Sequence, residues 1–293
     1  MERYKLLYIL GSGHCGSTLL DLLLNSHHQI MALGEIQKLK QYIAIANGNM
    51  PLSSPTKEDR LRWRETGFAH SLDTPFWQQI KKLYEDVSGS PFDQIDLRYT
   101  GKWRTIRSSQ AKEIESWARP NKVLFSCLHQ VSRAPILTDS SKSPHRLYLL
   151  QKSGLFDIKV IHLQRNGCAV VNSYLRKHAN FGVCLRLWGA PALLAFYLRR
   201  KFTRTTWLNL RYEDLAASPV ETLKIVCAFL DVNFEPEMLA YRGKPYLGFG
   251  GNQMREREQE AIFLDEEWKR ELSYKHRIAF TLLAGWLNRL YGY

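Results

Sequence analysis

The sequence predicts an α/β fold: a central parallel sheet flanked by helices in three layers, with one mostly helical insertion. Two observations carry this. Short apolar runs at residues 5–10, 29–33, 158–163 and 207–210 alternate with helix-length segments, the rhythm of parallel strands joined by crossover helices. The first run ends in Gly-Ser-Gly and passes directly into a leucine-rich stretch beginning at Ser17. Strand, glycine turn, helix and strand form the opening of such a sheet.

Each element follows in order. Residues 5–10 read as a buried strand, and the leucines from Leu19 to Leu24 as a buried helix closing near Asn25. Residues 29–33 give a second strand, followed by Gly34-Glu35 and a helix to about residue 46. Residues 48–120 break the rhythm with Pro51, Pro55, Pro75 and Pro91, many charges and four of the eight tryptophans (Trp63, Trp77, Trp103, Trp117). This segment is expected to be a helical insertion over the active site. Its tryptophans read first as packing, with a substrate-lining role as the alternative. Strands are then expected at 123–127 and 135–138, the second running into Asp139-Ser140-Ser141-Lys142. A helix at 144–152, the strand at 158–163 and a helix at 167–178 follow. Further helices are expected at 183–202, 220–230 and 266–290, with the last strand at 207–210. The whole chain, 1–293, reads as one domain.

Composition narrows the classes. The chain of 293 residues is 45% hydrophobic and 12% aromatic, which excludes a mainly disordered protein. The longest uninterrupted apolar stretches, 190–198 and 278–287, are about ten residues, whereas a spanning helix needs roughly 20, so no membrane segment is expected. No secretory signal pattern follows the first residues. Five cysteines without a C-x-x-C pair suit free thiols in a reducing compartment, and a cytoplasmic location is expected. The net charge of +13 favours an anionic partner without specifying it.

Gly11-Ser12-Gly13-His14-Cys15-Gly16-Ser17-Thr18 lies between strand and helix with the spacing of a Walker A loop. Its backbone N–H groups and the helix N-terminus can wrap a phosphate, and Ser17 and Thr18 add hydroxyl donors. The P-loop lysine is absent, because Ser17 occupies its place. Phosphoryl transfer in P-loop enzymes uses that lysine with Mg²⁺. A sulfuryl group carries less charge and can be moved with hydrogen bonds and one or two cations.

With these features the chain resembles the sulfotransferases that use 3′-phosphoadenosine 5′-phosphosulfate (PAPS), whose fold is P-loop-like. The resemblance rests on four segments. The loop Gly11–Leu20 with Gly34-Glu35 downstream is similar to the family's 5′-phosphosulfate loop, which implies donor contacts from Ser12, Gly13, His14, Cys15, Gly16, Ser17 and Thr18. Many relatives have arginine at the position of His14, which donates hydrogen bonds but is only partly charged near neutral pH. Arg165, with Ser173 eight residues later, resembles the 3′-phosphate motif. Asp139-Ser-Ser-Lys142 resembles the segment that places a lysine on the bridging oxygens, and Asp139 could also be read as a Walker B acid. Gly250-Gly251-Asn252-Gln-Met254-Arg255 is similar to the late segment that closes over the 3′-phosphate. Arg211-Tyr-Glu-Asp-Leu215 also matches a family segment and reads as a structural charge network.

The resemblance implies transfer of the sulfuryl group of PAPS, leaving PAP, to a hydroxyl of a small-molecule acceptor, with an amine left open. Glu35 is the expected general base, with Lys142 and His14 as the other catalytic candidates. Because an ordinary glutamate is a weak base, burial is expected to raise its pKa. No metal requirement is expected: none of the nine histidines falls in an H-E-x-x-H pattern. The alternatives are a P-loop metabolite kinase using ATP and Mg²⁺, supported by Asp139 alone, and a nucleic-acid-binding module, supported by the charge and the cluster 199–204.

Overall fold

The computed structural model describes residues 4–48, 70–99, 110–178, 180–251 and 261–293. Trp63, Trp103, Asn252, Met254 and Arg255, singled out above, lie outside them. The described elements run β1 (Tyr4–Leu10), α1 (Ser17–Asn25), β2 (Ile30–Ala32), α2 (Leu39–Ala46), α3 (Pro75–Ser88) and α4 (Ala111–Ser132). They continue with β3 (Ile136–Lys142), α5 (Pro144–Ser153), β4 (Phe156–Gln164), α6 (Gly167–Leu175), α7 (Phe181–Arg199) and β5 (Trp207–Arg211). The last are α8 (Tyr212–Ala217), α9 (Pro219–Leu230), α10 (Trp268–Glu271) and α11 (Tyr274–Leu290).

The five strands form one parallel sheet in the order β2-β3-β1-β4-β5. β1 is central, and its side chains alternate between two cores. Leu6, Tyr8 and Leu10 pack with α2, α3, α4 and α5 on one face, while Leu7 and Ile9 pack with α1, α8 and α9 on the other. Strands buried on both faces need apolar residues at odd and even positions alike, which is why β1 reads as a continuous apolar run. A third cluster joins α6, α7 and α11 around Trp188 and Phe280. All five cysteines are buried and unpaired.

The chain turns from β1 to β2 and β3 on one side, then to β4 and β5 on the other. The carboxyl ends of β1, β3 and β4 therefore frame the crevice where parallel α/β sheets bind ligands. Leu10, Lys142 and Gln164 end those strands.

Four expectations change. Residues 123–127 lie inside the long helix α4, not in a strand. A five-residue apolar run fits either element, and here the spacing of Ile114, Ala118, Asn121, Leu124, Phe125 and Leu128 makes one buried helical face that carries through Pro120. Asp139, Ser140, Ser141 and Lys142 belong to β3 rather than following it, because each buried polar group there has a partner. Residues 266–290 form two helices, since Ser273 caps α11 by accepting a hydrogen bond from the His276 N–H (3.3 Å). Counting uninterrupted apolar runs also missed that α7 is long and apolar enough to cross a membrane by length and composition. Within the expected insertion, Trp77 fills the core against Phe249 and donates to the Leu247 carbonyl (2.8 Å), as packing predicts.

Asp139 and Arg146 form a fully buried ion pair (2.7 Å), and the Arg146 guanidinium also donates to the Leu97 carbonyl (2.9 Å). Removing one partner strands the other charge in the core. Arg146→Ala should therefore cost about 3–5 kcal/mol of unfolding free energy in urea titrations. The double change Asp139→Leu/Arg146→Met should cost much less, and equal losses would show that the pair is not what matters there.

Candidate active site

The loop after β1 turns through two left-handed residues, His14 (φ 61°) and Gly16 (φ 93°), before α1 begins at Ser17. This alternation points successive backbone N–H groups to one side, an anion-binding concavity that the N-terminus of α1 extends. Two tyrosines brace the loop from outside. Tyr174 of α6 accepts a hydrogen bond from the Gly13 N–H and meets the His14 ring edge-on at 4.8 Å. The ring of Tyr212 lies against Gly16, where any Cβ would collide with it. The same ring carries the Arg165 guanidinium 4.3 Å from its centroid.

Arg165 follows β4 and is buried. It donates to the His14 carbonyl (3.1 Å) and to the Asp265 carboxylate (2.8 Å), while its Nε is buried without a partner among the described residues. Ser173 lies half-buried on the second turn of α6, the helix that Asn166 caps by accepting from the Cys168 N–H (2.9 Å). No described hydrogen bond joins Arg165 to Ser173.

Glu35 sits just past β2, where Gly34 (φ 64°) forms a bridge with Phe249. The Glu35 N–H donates to the Phe249 carbonyl (2.6 Å), and Gly250 packs on the Glu35 side chain. The described start of the late glycine segment thus supports the carboxylate; nothing described brings Gly251 to Arg165. Lys142, left-handed at φ 61°, ends β3 and extends its ammonium to Glu35 Oε1 (2.8 Å) and the Ser140 carbonyl (3.2 Å). Lys38 takes Glu35 Oε2 (2.5 Å).

These contacts reverse the expectation for Glu35. Burial does push its carboxyl up, but Lys142 and Lys38 outweigh burial and hold it at about 2. His14 moves the other way from ordinary histidine. Burial, then Lys177, Arg165, Lys142 and Arg176, lower it to about 4, so at neutral pH it is an uncharged hydrogen-bonding ring rather than a partial cation. Four cations around one loop make it a favourable place for an anion.

Asp139, the Walker B alternative, is consumed by Arg146 and does not face the loop as a free acid. Away from the loop, His27, His28 and Glu235 place ligand atoms within 4.8 Å of one another. His27 spends both ring nitrogens on the Asn233 carbonyl and the Gln29 N–H, and His28 pairs with Glu235, which leaves no converging donor set. Sequence reasoning missed Lys38, Tyr174, Tyr212 and Asp265. Lys38 was visible as a lysine three residues after Glu35. Asp265 gave no local signal, because its partner is 100 residues away.

Residues 7–236 match the sequence profile of the Sulfotransferase family, and the chain belongs to that family. Its fold is similar to a sulfotransferase domain from the Synechococcus PCC 7002 olefin synthase, at 21% identity and a TM-score of 0.60, covering 100% of this chain and 96% of that one. It is also similar to a sulfotransferase domain from the curacin biosynthetic pathway, at 19% identity and a TM-score of 0.57, covering 97% and 99%. No curated protein matches the chain. The protein is a sulfotransferase.

Asp21 of α1 offers a test of how the loop helix is tied to the sheet. It is buried and accepts hydrogen bonds from Thr138 (3.3 Å) and Ser140. Burial pushes its carboxyl up from 3.8 to about 6, against the lowering effects of Ser140, Lys142 and Thr138. An acid with a higher pKa folded than unfolded loses its proton first in the unfolded chain, so rising pH costs stability between about 4 and about 6 and no more above. The difference in unfolding free energy between wild type and Asp21→Asn should shift by about 2–3 kcal/mol in the variant's favour across that window. A pH-independent difference would show that Asp21 does not titrate there.

Proposed function

We propose that the chain transfers the sulfuryl group of PAPS to a hydroxyl of a small-molecule acceptor, with Glu35 as general base. The observation that supports this most is the convergence of Lys142 and Arg165 on a lysine-free phosphate loop. The residues present fit an anionic donor. The loop Ser12–Thr18 would hold the 5′-phosphosulfate, with Ser17 and Thr18 adding hydroxyls. Arg165, whose buried Nε has no partner among the described residues, and Ser173 would take the 3′-phosphate. Gly251, Asn252, Met254 and Arg255 are assigned to the same phosphate by resemblance.

When bound, PAPS supplies a sulfuryl group on a phosphate that leaves readily. The protein's own groups do the rest. Glu35 is ionised at every working pH and so always able to accept the acceptor's hydroxyl proton at an Oε atom, but two lysines make it a feeble base. Lys142 can serve Glu35 or a phosphate oxygen. Turning its ammonium toward an anion in the loop relieves Glu35 of one cation and raises its basicity, so occupation of the loop readies the base. Lys38 keeps the carboxylate oriented throughout. His14, neutral, positions anionic oxygens through hydrogen bonding without adding charge.

The position at the carboxyl edge of the sheet and the Arg165 Nε without a partner among the described residues support this reading. The fold neighbours, domains of an olefin synthase and of a biosynthetic pathway, make a hydroxylated biosynthetic intermediate the acceptor class we favour.

Calorimetric titration of PAP and ADP in EDTA tests the donor site. PAP should bind with micromolar affinity and ADP at least ~10-fold more weakly, since only PAP places a phosphate at Arg165. Equal affinities would remove the 3′-phosphate site. Glu35→Gln should keep PAP affinity and lose at least ~100-fold in turnover. Unaltered turnover would end the assignment of Glu35, and loss of activity in EDTA would overturn metal independence.

A further inference from the structure

The face formed by α7 and α11 exposes large apolar side chains, none of which belongs to the candidate active site. On α11, Tyr274, Ile278, Leu282, Leu283, Trp286 and Leu290 are between 44% and 78% exposed, and Leu193 and Phe196 of α7 are each 48% exposed. The two helices lie side by side. Phe181 stacks on His276, Trp188 packs against Phe280, and the Tyr291 hydroxyl donates to the Ala192 carbonyl (2.7 Å). Together these eight large side chains leave on the order of 800 Å² of exposed apolar surface along the two helices.

Charge identifies what covers it. The exposed Leu193 and Phe196 of α7 lie between the exposed Arg186 and Arg200, the latter capping the helix with its guanidinium over the Phe196 ring. On α11, Lys275 and Arg289 are exposed at the two ends of the helix, each next to an exposed apolar residue, Tyr274 and Leu290. These four cations have no acidic partner among the described residues. Between Asn166 and Tyr212 the chain has eight Lys and Arg residues and no acid, and Tyr274–Leu290 has three and none. The nearby acids Glu267 and Glu271 are paired with Arg176. A second copy docking through this face would set one basic rim against another, with a net charge of +13 on each chain.

We propose that the α7/α11 face is a docking surface for an anionic lipid bilayer. Leucine and aromatic side chains enter the headgroup boundary, and the flanking Arg and Lys side chains meet acidic headgroups, the pattern of a helix lying in the interface plane. α7 lies on the membrane rather than through it. Cys184, Trp188, Ala192, Ala195 and Leu198 face inward and are buried, so one side of the helix belongs to the domain.

Vesicle sedimentation with the full chain tests this. The protein should bind phosphatidylcholine vesicles containing about a third phosphatidylglycerol at least ~10-fold more tightly than pure phosphatidylcholine. Leu282→Glu/Trp286→Glu should lose at least ~10-fold of that binding, as should Arg186→Glu/Arg200→Glu, with melting temperatures and circular dichroism kept. Absence of binding to the acidic vesicles, or undiminished binding by the Leu282/Trp286 variant, overturns the proposal. So does a dimer of the wild type in sedimentation equilibrium that this variant abolishes, which would assign the face to a second copy. None of these readouts involves PAPS, so they stand apart from the donor-site titration.

Discussion

The glycine-rich loop after β1 is shaped from outside. Tyr174 reaches Gly13 from α6, and Tyr212 presses on Gly16 from the start of α8, each at a point where no side chain can stand. The same Tyr212 ring supports Arg165, so one aromatic side chain sets both the curvature of the loop and the height of the cation beside it. β4 and β5 end level with each other, Gln164 pairing with Arg211, and both run two residues past the end of β1, where Leu10 pairs with His162. That overhang places Arg165 and Tyr212 beside the loop that leaves β1.

Electrostatics follows from that geometry. Cations crowd this edge, and two acids are drawn into pairs with them: Glu35 with Lys142 and Lys38, Asp265 with Arg165. In the free protein these acids neutralise charges that an anionic ligand would otherwise meet. On the proposed assignment, donor binding is an exchange of counterions, and affinity depends on how much better a phosphate satisfies Arg165 than a partly exposed aspartate does.

The strands, the loop and its missing lysine were legible in the sequence because they are local patterns. Glycine spacing, an apolar run and a helix start all fall within 20 residues. The site residues Glu35, Lys142 and Arg165 were legible only together with the family resemblance. What could not be read was pairing across long separations. The pKa of Glu35 was expected to rise because burial is guessable from a strand end, whereas the approach of Lys142, 107 residues later, is not. The helix at 111–132 hides for the opposite reason: residues 123–127 alone look like an apolar strand, and Pro120 imitates a boundary inside a longer amphipathic stripe. Asp139 shows a third kind of ambiguity, since a buried acid at a strand end fits a metal site or an internal ion pair equally well until Arg146 is placed beside it.

Burial of every cysteine has a practical consequence. Burial raises all five thiols, Cys127, Cys168 and Cys227 to about 11, so at neutral pH few are thiolates and none is on the surface. The unaltered chain is therefore already a quiet background for thiol chemistry. A cysteine introduced at an exposed position such as Leu282 would react with a maleimide dye far ahead of the native five. Fluorophores can thus be attached to chosen points without first stripping the core of its sulfur.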